Sequence, residues 1–114
     1  MIAVIFEFTP APGRVRDYLD LAAALRPELE RTDGFVSIER FESLGTPGHF
    51  VSISFWRDEE ALRRWRNEPR HREAQARGRG GIFESYRLRV ARVIRDYGMN
   101  ERAQAPADSV AVHG

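Results

Sequence analysis

The fold is decided by the stretch Phe50-Val51-Ser52-Ile53-Ser54-Phe55-Trp56-Arg57-Asp58-Glu59-Glu60-Ala61. Its first half is rich in aromatic and β-branched residues, which predicts a strand over His49–Arg57. Three acidic residues follow at Asp58–Glu60, and they favour the first turn of a helix because they complement the positive end of its dipole. A second strand, Phe35–Glu42, precedes the stretch across the hairpin loop Leu44–Gly48. The centre of the chain is therefore a hairpin that leads directly into a helix.

A strand and a long helix lie before this hairpin. Residues Ile2–Thr9 are typical of a strand that ends at the turn cluster Pro10–Gly13. Residues Arg14–Arg31 carry apolar side chains at helical spacing, which predicts an amphipathic helix. Pro27 lacks an amide donor, so we expect the helix to kink or restart near Arg26.

Two short helices and a long strand follow the hairpin. Trp65 lies on the apolar face of the first helix, and Pro69 permits a new helical start at Arg70–Arg77. The segment Gly78–Gly81 predicts a flexible stop, and Ile82–Arg95 predicts the last strand.

The element order is β-α-β-β-α-β, which is the order of a ferredoxin-like α+β fold with a four-stranded antiparallel sheet. The chain of 114 residues is long enough for a single core. We predict one domain over residues 1–98. Residues 99–114 show no hydrophobic period and predict a disordered C-terminal tail.

The helices of such a fold cover one face of the sheet, and the other face is also predicted to be apolar. The strand Phe35–Glu42 is predicted to place Val36 and Ile38 on one face and Phe35 and Phe41 on the other. The next strand has the same two-sided apolar character. An apolar face without helices has to be buried against a partner, so we predict an obligate homodimer formed through the sheet face.

Composition excludes several classes of function. There are 18 basic and 17 acidic residues, so the chain lacks the positive charge of a nucleic-acid-binding protein. No apolar run is long enough to cross a membrane or to form a signal peptide, and there is no cysteine. We therefore expect a cytoplasmic protein that binds neither nucleic acid nor membrane. All basic residues are arginine, which excludes Schiff-base lysine chemistry.

Three segments together resemble the antibiotic biosynthesis monooxygenase family. They are Gly34–Phe41, the stretch Phe50–Ala61 followed by Trp65, and His71–Gln75. The similarity covers about residues 1–98. It implies ferredoxin-like protomers that form a dimeric α/β barrel, with a pocket in each protomer between the helices and the sheet.

The family contains two kinds of chemistry, and the resemblance implies characteristic residues for each. Haem-degrading members hold haem through a helix histidine about ten residues after a helix tryptophan. Trp65 matches that tryptophan, but Gln75 stands where the histidine is expected, and glutamine is not an imidazole ligand. Cofactor-independent members oxidise anthrones and quinols with dioxygen. Trp56 matches their tryptophan at the end of the third strand, whereas Leu62 replaces their tyrosine.

The leading hypothesis is a cofactor-independent monooxygenase that acts on an electron-rich small aromatic molecule, such as a quinol or an anthrone. An imidazole can take a proton from a phenol at neutral pH, so His71 is the candidate catalytic base. The residues predicted to bind substrate are Trp65, Trp56, Gln75, Tyr86 and Arg72, with Tyr18 as a second phenol in the same pocket.

Two alternatives remain open at this point. The first is a haem-binding, haem-degrading monooxygenase, which Gln75 disfavours. The second is a dimeric small-molecule-binding module without catalysis. No metal site is predicted, because His49, His71 and His113 do not fall at ligand spacing.

Overall fold

The computed structural model describes all 114 residues, and it has the predicted element order. A four-stranded antiparallel sheet and its helices form a ferredoxin-like α+β fold, as predicted. One further helix lies near the C-terminus. The elements are β1 (Ile2–Pro10), α1 (Val15–Arg31), β2 (Phe35–Glu42), β3 (Phe50–Trp56), α2 (Glu59–Arg66), α3 (Pro69–Arg77), β4 (Phe83–Arg92) and α4 (Ala107–His113).

The strand order is β2-β3-β1-β4, so the first strand of the chain is central. In the register of the sheet, Val4 lies opposite Ser54 of β3 and Val90 of β4. Side chains alternate between faces along a strand, so Ile2, Val4, Phe6 and Phe8 share the helix-covered face.

The core consists of two clusters along β1. Ile2 and Val4 pack with residues of β3, α1 and α2 at one end, and we call this the Trp cluster because it contains Trp56 and Trp65. Phe8 packs with Tyr18 and Ile82 at the other end, which we call the Phe8 cluster. Val4 and Phe8 are about 13 Å apart along the strand, at about 3.3 Å per residue. The two clusters are therefore separate regions of one core.

A β-bulge corrects the prediction for β2. The register with β3 shifts between Phe35 and Ser37, so Phe35 and Ile38 both pack against the Trp cluster instead of lying on opposite faces. The bulge inserts one residue and thereby reverses the alternation of side chains in the strand. Simple alternation cannot reveal such an insertion from the sequence.

The sheet face opposite the helices has an apolar centre and a charged margin. The inner strand β3 contributes Val51, Ile53 and Phe55, which are half-buried in the chain. Arg89 on the edge strand β4 donates a hydrogen bond to Glu7 of β1 at 2.7 Å. The apolar character predicted for this face is therefore strongest along β3, and charges lie toward β4.

Helix α1 is one continuous helix that contains Pro27, so of the predicted kink or restart near Arg26 the restart does not occur. The proline removes the amide that would bond to the carbonyl of Ala23. Ala23 is exposed, which leaves that carbonyl open to water. None of the helices is both long and apolar enough to cross a membrane.

The end of the chain differs from prediction in three places. The segment Gly78–Ile82 forms a π-helical turn instead of a flexible stop, and Ile82 is buried there before β4 begins at Phe83. Strand β4 ends at Arg92 instead of Arg95. Within residues 99–114, where we predicted disorder, α4 follows Pro106, a residue favoured at helix starts.

Candidate functional site

His71 lies at the start of α3 and packs on Trp65 of α2. The two rings are stacked with centroids 4.5 Å apart, and His71 Nδ1 is 3.0 Å from the Trp65 carbonyl oxygen. The backbone amide of His71 donates to Glu68 Oε2 at 3.1 Å, and Glu68 is the N-cap of α3. Capping and stacking together fix the position of the imidazole.

His71 Nδ1 has two polar neighbours, the Trp65 carbonyl oxygen at 3.0 Å and Gln75 Nε2 at 3.2 Å. The Gln75 side chain donates from Nε2 to the Arg66 carbonyl at 3.2 Å and accepts at Oε1 from Arg72 at 3.0 Å. The Trp65 carbonyl can only accept, which calls for a proton on His71 Nδ1, whereas Gln75 Nε2 can only donate, which calls for a lone pair there. The two contacts therefore favour opposite tautomers of His71. Burial lowers the pKa of His71, although the bond to the Trp65 carbonyl opposes this. The lowered pKa favours the neutral imidazole.

The two tryptophans are core residues. Trp56 is 2% exposed and Trp65 is 7% exposed, and their rings stack at 6.5 Å. The indole N–H of Trp56 donates to Ser54 Oγ at 3.0 Å. Together with His71 they form a row of stacked rings from the sheet to α3.

The structure brings together five of the six predicted site residues. His71, Trp65 and Gln75 are in contact, Trp56 stacks behind Trp65, and the exposed Arg72 joins through Gln75. Tyr86 lies apart on β4, where it packs near the Phe8 cluster and accepts a hydrogen bond from Arg79 at 2.8 Å.

A cavity of about 130 Å³ opens between α1 and the sheet beside the Phe8 cluster. None of the six predicted site residues lines it. Its walls are mainly apolar, and its polar groups are Tyr18, Arg40 and Glu42. The apolar lining residues are Phe8, Pro10, Val15, Leu19, Phe41 and Phe50.

Aromatic rings form one wall of this cavity. Phe8 packs against Tyr18 with centroids 4.4 Å apart, and against Phe50 at 5.6 Å. Edge-tilted and offset arrangements of this kind hold aromatic side chains in place. A planar apolar ligand can pack on the same rings.

Arg40 is the cation of the cavity. Its Nε donates to the Tyr18 hydroxyl at 2.8 Å, and its guanidinium carbon is 5.7 Å from the centroid of the Tyr18 ring. Sequence reasoning named Tyr18 but missed Arg40 and Glu42. Both alternate with apolar residues on β2. The signal that could have found them is a pair of charged residues on the helix-facing side of a strand, where apolar residues are expected.

A second cavity of about 170 Å³ lies between α1 and α3. Its charged residues are Arg70, Glu73 and Arg77, and Arg70 is already paired with Glu28 of α1. Neither cavity has an imidazole in its lining, and both are smaller than the roughly 300 Å³ at which drug-sized ligand pockets begin. The residues present therefore do not fit a haem group, and no cluster of His, Asp or Glu is arranged to hold a metal ion.

The family model of antibiotic biosynthesis monooxygenases matches residues 1–77, which is more than half of the chain. This chain belongs to the antibiotic biosynthesis monooxygenase family. The matched residues include β1, α1 and the hairpin, and they include every residue that lines the cavity beside Phe8.

Two curated proteins match the chain. One is the jasmonate monooxygenase ABM of Pyricularia oryzae, which is 48% identical over 101 residues, or 89% of this chain and 47% of the relative. The other is the uncharacterized protein YqjZ of Bacillus subtilis, which is 34% identical over 62 residues, or 54% of this chain and 53% of the relative. The chain thus spans about half the length of the curated relatives it matches.

Solved structures share the fold of this chain. Rv0793 from Mycobacterium tuberculosis has a TM-score of 0.75 at 23% identity, over 85% of this chain and 98% of that one. SnoaB, a cofactor-independent oxygenase from Streptomyces nogalater, has a TM-score of 0.72 at 17% identity, over 83% of this chain and 94% of that one. At these identities the likeness establishes the fold alone.

Proposed function

We propose that this chain is a monooxygenase that binds an electron-rich small molecule in the cavity beside Phe8 and oxidises it with dioxygen, without a metal or a flavin. The observation that carries the proposal is an aromatic cavity beneath α1 in a member of this family. The name of the relative from Pyricularia oryzae and that of SnoaB both support oxygenase chemistry.

The chemistry needs a substrate that can supply its own electrons. A phenol or enol that loses a proton becomes an anion that reduces dioxygen, and the resulting radicals combine into a carbon-bound hydroperoxide. Loss of water then leaves a carbonyl group at that carbon. One carbon loses two hydrogens and gains one oxygen atom, and the second oxygen atom leaves as water. The protein has to supply orientation, a proton acceptor and a site from which water is excluded.

His71 is the predicted base, and burial lowers its pKa, which favours the neutral imidazole that can accept a proton. It packs on Trp65 of the Trp cluster, however, and the cavity lies at the other end of β1. Glu42 is the carboxylate at the cavity itself. Its Oε2 accepts from the amide of Gly48 at 3.0 Å, so Oε1 is left for a substrate proton. We therefore propose Glu42 as the base for a substrate in this cavity.

The homodimer is part of the same proposal. The apolar centre of the open sheet face, with Val51, Ile53 and Phe55, supports burial against a second copy. Native mass spectrometry at micromolar concentration should give twice the mass of the chain. A stable monomer would contradict this part of the proposal without touching the oxygenase chemistry.

Oxygen uptake tests the function directly. Purified protein is mixed with a single-ring quinol, an anthrone or jasmonate, and dioxygen consumption is followed with an electrode. We expect uptake with at least one of them, an at least tenfold loss in Glu42→Gln, and retention in His71→Ala. Uptake that disappears in His71→Ala but persists in Glu42→Gln would return the role of base to His71. Binding without uptake for every compound would favour the non-catalytic binding module.

A further inference from the structure

We propose that Arg40 binds a carboxylate group of the ligand, so that the ligand class is a small acid with one apolar ring. This inference rests on the proposed function in one respect only, since both place the ligand in the cavity beside Phe8. It concerns binding and is tested without turnover.

Arg40 has free hydrogen-bonding capacity where the ligand would lie. A guanidinium carries five N–H donors, and that of Arg40 uses Nε for the Tyr18 hydroxyl. Its Nη1 and Nη2 groups have no partner in the chain, and no carboxylate forms an ion pair with it. Two terminal nitrogens in one plane match the two oxygens of a carboxylate, which they can bind with parallel hydrogen bonds.

Several other arginines are already paired with carboxylates. Arg57 binds Asp33 with two hydrogen bonds of 3.1 and 3.0 Å, and Arg63 binds Glu60 in the same way on the surface. Arg70, in the second cavity, is paired with Glu28. Arg77 lines the second cavity without a carboxylate partner, but it is exposed. Arg40 is unpaired in a cavity and half-buried, which strengthens a charged contact over one in open water.

The position of Tyr18 orients the guanidinium. The Tyr18 hydroxyl is fixed because its ring is buried against Phe8. The hydrogen bond to Nε therefore holds one edge of the guanidinium and leaves the opposite edge for the ligand. A preoriented arginine loses less freedom when it binds an anion.

Glu42 makes the charge at one end of the cavity opposite to that at the Arg40 end. It lies two residues after Arg40 on the same face of β2, about 7 Å along the strand. A ligand carboxylate is attracted at the Arg40 end and repelled at the Glu42 end. An acid therefore enters in one orientation, with its carboxylate on Arg40 and its far end near the proposed base.

The size of the cavity limits the apolar part of the ligand. A cavity of about 150 Å³ in another protein holds one benzene molecule, and this one measures about 130 Å³. A single ring fits on the wall formed by Phe8 and Phe50. The second and third rings of an anthrone would extend into solvent, so we expect single-ring acids to bind more tightly per atom.

Calorimetric titration of the full chain with 3-phenylpropanoate and with 3-phenylpropanamide tests the inference. The two probes share a ring and a length and differ in charge. We expect the acid to bind at least tenfold more tightly than the amide, because hydrogen bonds between charged groups are the stronger ones. Equal affinities, or no binding of either probe, would overturn the proposal.

Variants assign the effect to Arg40. Arg40→Gln should bind acid and amide equally, and Arg40→Lys should keep part of the preference because it keeps the charge but not the fork. Arg16→Gln is the matched control, since its side chain is 81% exposed on α1 and pairs with Asp20 outside the cavity. Circular dichroism and thermal melting verify that each variant is folded. An acid preference that survives in Arg40→Gln would contradict the assignment.

The two proposals fail in different ways. Preferential binding of the acid without oxygen uptake contradicts the monooxygenase proposal and leaves the carboxylate site in place. Oxygen uptake with equal binding of acid and amide contradicts the carboxylate site and leaves the oxygenase in place.

Discussion

The two ends of the core differ in how completely they are filled. In the Trp cluster, Trp56 and Trp65 stack between the sheet and α2, and almost none of their surface is exposed. Beside Phe8 the aromatic rings leave a cavity with an unpaired guanidinium from Arg40. Close packing at one end stabilises the fold, and the open end has room for a ligand. Most of the residues that the sequence suggests for catalysis and binding lie at the packed end.

The largest expected effect is loss of stability at the packed end. Trp65→Ala should lower the free energy of unfolding by about 3–5 kcal/mol, because it removes a buried indole and leaves a cavity. Phe41→Ala is the comparison at the open end, where the side chain is 46% exposed, and we expect a loss below about 1 kcal/mol. Urea denaturation measures both. Equal losses would mean that the two ends are packed alike.

A glycine at the packed end should give the next largest effect. Gly34 has φ of +89°, and a Cβ built there would lie 2.5 Å from Cβ of the fully buried Ala61. Gly34→Ala should therefore cost of order 1–3 kcal/mol in urea denaturation. Gly45→Ala is the control, since nothing lies within 4 Å of its Cβ position, and a change there of the same size would contradict the explanation.

The fold could be predicted because it depends on patterns that the sequence displays. Alternation, helical spacing and acidic first turns gave the element order and therefore the sheet. The bulge between Phe35 and Ser37 could not be predicted, since an inserted residue leaves no mark in an apolar strand. Helix α4 was not predicted either. Pro106 lies at its start, and the guanidinium of Arg102 donates hydrogen bonds to Ser109 Oγ and to the Gly98 carbonyl oxygen.

The candidate site was harder to predict than the fold. Histidine and tryptophan drew attention to α2 and α3, and the structure confirms that His71, Trp65 and Gln75 are neighbours. Whether they act in catalysis stays a prediction. A cavity arises where side chains fail to fill space, and no residue type signals that in a sequence. Arg40 becomes a candidate only when its lack of a carboxylate partner is seen.

The protonation of His71 should make the packed end sensitive to acid. Burial lowers its pKa in the folded chain below the ordinary value near 6.5, so the unfolded chain binds the proton more readily. Stability should therefore decrease as the pH falls below about 6.5, and level off below the folded pKa. Urea denaturation between pH 7.5 and 5 measures this dependence.

His71→Gln should reduce that dependence on pH, and the control Arg66→Gln should preserve it, because Arg66 is exposed and its side chain makes no hydrogen bond. A wild-type stability that rises on acidification through this range would contradict the assignment.

A small stability effect is expected from a second substitution at the open end. Tyr18→Phe removes the hydroxyl that accepts from Arg40, at a cost of about 0.5–1.5 kcal/mol. The ring remains packed on Phe8, so the variant should fold normally. Its affinity for 3-phenylpropanoate should fall several-fold in calorimetric titration, because the guanidinium is no longer oriented. An unchanged affinity would show that Tyr18 does not position Arg40.

The placement of the ligand at the open end is tested most directly by NMR titration of the labelled chain with 3-phenylpropanoate. We predict that the largest shift changes fall on Tyr18, Arg40 and Phe50, with the Trp65 indole and the His71 ring unchanged. Changes concentrated on Trp65 and His71, with Arg40 unaffected, would place the ligand at the packed end and contradict the account.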